Sequence, residues 1–124
     1  GVLDGSHRHE DPRSDALLEA GQVCYWTIVE AVRCGRSWSD VRPDRALDRH
    51  IEDGAAPRAT IATLLRGQAQ RLRGSTAIDP AQAHDLLSLV ADSCLSMGVL
   101  PLDPILHDLE ELRSRSYLAP YFAT

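Results

Sequence analysis

A chain of 124 residues and 13.6 kDa, 44% hydrophobic and 25% charged, has room for one globular domain and is too apolar to stay disordered. Thirteen basic against eighteen acidic residues leave a net charge of −5, without the basic footprint that binding to nucleic acid requires. Every basic residue is an arginine, so Schiff-base chemistry, a phosphate-loop lysine and a kinase-type lysine are excluded.

Residues 1–13 read as a flexible leader ahead of a single helical domain at 14–124. A cloning remnant would account for part of that leader, notably Gly5-Ser6-His7, and His7 and His9 in such a tail would hold metal only adventitiously. Ser14 and Asp15 are placed to cap a helix that runs to about Arg33 and stops at Gly35. Within it Leu17, Gly21, Cys24, Ile28 and Ala31 form one stripe, flanked by Leu18, Tyr25, Val29 and Val32. That width is expected of a central helix packed on more than one neighbour. Trp26 and Trp38 are expected to anchor the core, because each side chain buries so much area.

Pro43 opens a short helix through Ile51 or Glu52, ended by Gly54, with His50 near its C-terminal end. Pro57 opens another, carrying Ile61, Leu64, Leu65, Gln68 and Leu72 along one side and Gly74 after it. Asp79-Pro80 pairs a cap with proline at the first helical position, and Ala83, Leu87, Val90, Cys94 and Met97 then recur at steps of four and three until Gly98. Asp103-Pro104 repeats the start signal, with Leu102, Ile105, Leu109 and Leu112 keeping the helical period to about Arg115. The segment from Tyr117 to Thr124, with Tyr121 and Phe122, is expected to fold back over an apolar groove. No stretch alternates in the manner of a strand, so the fold class is all-α: a helical bundle of four to five helices, completed by dimerisation.

Three cysteines, Cys24, Cys34 and Cys94, make a poor disulfide framework and fit a reducing cytoplasm. Cys24 and Cys94 lie on apolar stripes, where a thiol behaves as a small hydrophobe. Without a Cys-x-x-Cys motif a structural zinc site is not expected. No segment approaches the roughly 20 apolar residues that span a bilayer, so no membrane partner is expected.

Two helical turns carry candidate chemistry. Glu19-Ala20-Gly21-Gln22 sets Glu19 and Gln22 one turn apart, and Glu30 returns to nearly the same face. Gln82-Ala83-His84-Asp85 sets Gln82 and Asp85 one turn apart, with Asp92 two turns further on. In this pattern the chain resembles the MazG-like all-α nucleoside triphosphate pyrophosphohydrolases, which carry Glu-x-x-Glu on one helix and Glu-x-x-Asp on a later one. The stretch from Leu86 through Gly98 to Pro104 is similar to that family's helix, glycine turn and next helix.

The resemblance implies a magnesium site formed by Glu19, Gln22, Gln82 and Asp85 meeting across one cleft, with a nucleoside triphosphate as substrate. Each motif keeps one acid and replaces the other with glutamine, which supplies an oxygen ligand but no charge. Glu30 and Asp92 are the alternative ligands that would restore it. The halved charge implies weakened or lost activity. Arg66, Arg71 and Arg73 read first as a solvated helix face ending in favourable cations, and only second as phosphate clamps. His84 and His107 are expected at polar boundaries. The competing expectation is a non-catalytic helical module that dimerises or binds another protein, supported by the broad first helix and by the two glutamines.

Overall fold

The computed structural model describes residues 1–49, 54–118 and 120. Four helices of eleven residues or more carry the fold: α1 (Pro12–Arg33), α4 (Arg58–Arg73), α5 (Pro80–Ser96) and α6 (Asp103–Arg113). Two single turns, α2 (Trp38–Val41) and α3 (Pro43–Ala46), lie between α1 and α4, and a 3-10 turn at Ser116–Leu118 follows α6. Among the described residues there is no strand, and no helix is long and apolar enough to cross a membrane.

The helix ends follow from local chemistry. Asp11 rather than Ser14 or Asp15 caps α1: its carboxylate accepts from Ser14 N–H at 2.9 Å, and Pro12 fills the first position, where no amide donor is needed. Asp15 is turned elsewhere. Its buried carboxylate accepts the backbone N–H groups of His9 and Glu10, each at 3.1 Å, which draws the leader onto the bundle. Arg66 holds the leader from the other side through Asp4 at 3.0 Å, and Val2 packs on the core.

Helices α1 and α5 end in the same way. Gly35 and Gly98 have φ of 74° and 72°, a left-handed conformation that costs a glycine little. The next residue of each turn, Arg36 or Val99, then donates back to the carbonyl of Ala31 or Cys94. Val99 is thereby buried beneath the turn.

The core lies around α5. Ala83, Leu87, Ala91 and Cys94 are sealed, with Val90 beside them. α1 covers this stripe with Ala16, Cys24 and Ala31, the short helices contribute Val41 and Ala46, and Leu47 and Val99 complete the cluster. α4 also packs on α5, where Ile61 is sealed. Small side chains dominate these contacts, which lets the helix axes approach closely and explains a core built with few aromatic residues. Gly21 serves the α1–α6 crossing: a Cβ there would lie 2.7 Å from Asp108 Oδ2.

Several expectations are corrected by the packing. Trp26 and Trp38 are 64% and 63% exposed, because the helical phase that buries Cys24, Thr27 and Ala31 turns Trp26 outward, and Trp38 opens a single-turn helix at the surface. The second stripe of α1 (Leu18, Tyr25, Val29 and Val32) faces away from the core instead of a neighbour. Leu64, Leu102, Leu109 and Leu112 are likewise exposed.

The helix begun by Pro43 ends at Ala46. Leu47 turns into the core, and a tight turn in which Arg49 N–H donates to Leu47 C=O at 2.9 Å leads Arg49 to Asp92 of α5. His50, Ile51 and Glu52, like Tyr121 and Phe122, lie outside the described residues. Tyr117 is exposed, and α6 ends at Arg113 rather than Arg115.

Candidate functional site

α1 and α4 both pack on α5, and the groove between them holds two concave pockets. One half, about 440 Å³, is lined by Glu19, Gln22, Trp26 and Glu30 of α1, Leu72 of α4 and Leu86 of α5, among others. The other half, about 380 Å³, runs on past Glu19 and Val23 to Leu65, Val90 and Met97, and is closed by Val2, Leu3 and His7 of the leader. Glu19 stands where the two halves meet.

The first motif therefore faces a cleft, and Glu30 joins it. The second motif does not. Asp85 is exposed and lines neither half of the groove. At about 100° per residue it projects roughly 160–200° around α5 from the buried Ala83 and Leu87. Gln82 is engaged locally: its Oε1 accepts from Asp79 N–H at 3.1 Å while Asp79 Oδ1 accepts from Gln82 N–H at 2.8 Å, a reciprocal cap of α5. Asp92 pairs with Arg49 at 2.8 Å.

Glu30 accepts two hydrogen bonds from Arg33, one of them from Nε at 2.9 Å. Those bonds hold the Glu30 carboxyl below its ordinary range, with Arg33's charge and a Cys34 contact adding to the effect. Glu19, Gln22 and Glu30 are thus brought to one groove, whereas Gln82, Asp85 and Asp92 serve or face other surroundings.

The cap makes a prediction. Asp79→Ala should cost about 1 kcal/mol of stability by removing the acceptor for the first turn of α5. Gln82→Ala should cost less, since its loss leaves that acceptor in place. Urea titration with and without magnesium measures both. Losses that appear only with magnesium present would make Gln82 a metal ligand instead.

Glu19 has partners that the motif reading left aside. His7 Nε2–H donates to Glu19 Oε1 at 3.2 Å, and the His7 and His9 rings meet edge to face with centroids 4.4 Å apart. Among the described residues, His7, His9 and Glu19 are the one group of three histidine, cysteine or carboxylate side chains whose ligand atoms all lie within 4.8 Å. The signal was present in the sequence as His-x-His, but nothing local indicated that the leader would dock.

Arg66 is held by Asp4, and Arg71 lies near Gly67 on its own helix. His84 Nδ1–H donates to Val41 C=O at 2.7 Å, tying α5 to α2, and His107 is exposed.

The three cysteines are free thiols. Burial pushes the Cys24 thiol up to about 12 from 9.0, with Cys94 and Asp108 adding to the shift. Burial likewise raises Cys94 to about 11, helped by Asp103. Neither forms the thiolate that a nucleophile needs near neutrality. In the native protein at pH 8, one thiol, Cys34, should react rapidly with a disulfide reagent, and three should react in denaturant. Rapid reaction of all three in the native state would contradict the core described above. An unfolded chain ionises these thiols first, so their contribution to stability is present below pH 9 and is lost as pH climbs towards 11–12.

No protein-family model matches the chain, and no curated protein or solved structure does.

Proposed function

We propose that this chain is a non-catalytic helical association module in which α1 of one copy docks along α1 of a second. The observation that carries the reading is the outward stripe of α1: Leu18, Gln22, Tyr25, Val29 and Val32 recur at steps of four, three, four and three, the spacing of a coiled-coil seam. Tyr25 and Val32 are 56% and 68% exposed.

Tyr25 and Trp26 together leave on the order of 300 Å² open, given the size of aromatic side chains. Adding Leu18, Ile28, Val29 and Val32 takes the patch to several hundred Å². That is the size of the largest apolar patch on an ordinary monomer, a patch that is often functional, and it is a substantial part of the roughly 800 Å² per partner of a standard interface.

A second copy fits this surface better than a charged partner would. The five seam positions carry no charge, so pairing two chains of net charge −5 sets no like charges face to face along it. In a parallel pair Gln22 meets its own counterpart, where the two amides satisfy each other and fix the register. Three unpaired thiols, two of them buried, suit a reducing cytoplasm as the setting.

Sedimentation equilibrium over a wide concentration range tests the reading. A mass of twice 13.6 kDa at micromolar concentration is expected, and a monomer throughout would refute it.

A second reading rests on the half of the groove lined by Glu19, Gln22 and Glu30. In that reading those oxygens would form a magnesium-binding wall for a nucleoside triphosphate in a MazG-like pyrophosphohydrolase, where the metal would neutralise phosphate charge and orient water. Its test is thermal stabilisation by magnesium with each nucleoside triphosphate, together with pyrophosphate release abolished by Glu19→Ala. The association reading expects neither.

A further inference from the structure

We infer that His7, His9 and Glu19 form a binding site for a divalent transition-metal ion of the zinc type, and that the ion clips the leader across the groove. Residues at i and i+2 of an extended chain point to the same side. His7 and His9 therefore present their imidazoles together, and the Asp15 carboxylate, accepting from the backbone N–H groups of His9 and Glu10 at 3.1 Å, holds the leader bent over α1. The bend delivers the rings to Glu19, a carboxylate on a rigid helix eight residues into α1.

The spacing suits a small tetrahedral ion. Metal bonds of about 2.0–2.1 Å to nitrogen and oxygen place neighbouring ligand atoms about 3.3 Å apart. His7 Nε2 and Glu19 Oε1 are already 3.2 Å apart, and every pair in the group is within 4.8 Å. Two imidazoles and one carboxylate are a ligand set for zinc and its transition-metal neighbours rather than for magnesium, which prefers oxygen ligands throughout. Three protein ligands leave a fourth position for water.

The Asp15 bonds and the Asp4–Arg66 pair act as the supporting shell, holding the leader where its histidines are needed. Glu19 is half-buried and shared by both halves of the groove, so a bound ion would fix Val2 and Leu3 over the Leu65 and Met97 end.

The test is calorimetric titration of the full chain with zinc chloride near pH 7.5. One equivalent is expected to bind, unaffected by millimolar magnesium. His7→Ala, His9→Ala and Glu19→Gln should each weaken binding at least about tenfold.

A structural readout accompanies it. Arg8 is exposed between the two ligands, so trypsin cleavage after Arg8 should slow severalfold on adding zinc to the wild type, and not in His9→Ala. The His7 and His9 substitutions lie outside the helices, and an unchanged helical circular dichroism spectrum certifies each variant. Absence of saturable zinc uptake overturns the site. So does binding that Glu19→Gln leaves intact, because the leader alone would then be the ligand. Cleavage at Arg8 that ignores zinc overturns the clip.

Discussion

Leu87→Ala is expected to lower the free energy of unfolding by about 3–4 kcal/mol, a large share of the total for a domain of this size. Leu87 is 0% exposed, at the middle of the α5 stripe on which α1 and α4 both lean. Its neighbours Ala83, Ala91 and Cys94 are small and buried, so they cannot swing into the space that the lost side chain leaves. Urea denaturation should show a lower midpoint at an unchanged slope, the sign of altered stability rather than altered compactness. Leu64→Ala, on the outer side of α4, should cost far less. A loss below about 1 kcal/mol at Leu87 would mean that α5 is not the centre of the bundle.

The elements that sequence patterning located well are those fixed by short-range chemistry. Asp79-Pro80 starts α5, Gly35 and Gly98 end α1 and α5, and the Ala83-Leu87-Val90-Cys94 stripe is the core face. Each depends on a few neighbouring atoms: a cap acceptor, a ring with no amide proton, or a backbone without a Cβ.

The errors arise where a distant segment decides. Ser14 and Asp15 satisfied the rule for a cap, but Asp15 is claimed by the leader's amides and Asp11 takes its place. Size alone places Trp26 and Trp38 in the core, whereas helical phase and a surface turn leave them open. The width of the α1 stripe implies more than one neighbour, and α5 and α6 both pack on the helix, yet its Leu18, Tyr25, Val29 and Val32 side stays open within the chain.

The candidate site was half legible for the same reason. Glu19, Gln22 and Glu30 share a groove because they share a helix, and helical spacing is visible in sequence. Whether a second helix turns Gln82 and Asp85 towards them depends on its rotation, which the core stripe of α5 sets: Ala83 and Leu87 face inward, and Asp85 consequently faces out. Gln82 illustrates how a four-residue motif misleads. Asp-x-x-Gln at the start of a helix is a capping pair, and that local function accounts for the residue fully. Gly21 has a steric reason as well, since Asp108 of α6 occupies the space that a side chain would need. The histidine partners of Glu19 look like part of a loose tail in the sequence, because docking of the leader depends on Asp15 and Arg66, side chains that no local rule connects to it.

Val29→Glu provides the strongest test of the outward stripe. Val29 lies on the outward side of α1 between Tyr25 and Val32, so the substitution leaves the buried Cys24, Thr27 and Ala31 face untouched, and glutamate is a good helix former. The isolated chain should therefore keep its helical spectrum. In a pair of chains joined along the stripe, the two new carboxylates would be desolvated in an apolar seam with no cation among the seam positions to meet them. The dimer dissociation constant should rise at least about a hundredfold, equivalent to a loss of close to 3 kcal/mol. Sedimentation should then report the single-chain mass where the wild type reports double. A second signature follows from mass action: the melting temperature of the wild type should climb with protein concentration, and that of Val29→Glu should not. Leu106→Glu, on the exposed side of α6, adds a comparable charge away from the stripe and should leave association unchanged. If Leu106→Glu separates the copies while Val29→Glu does not, the contact runs through α6, and α1 presents its apolar face to something other than itself.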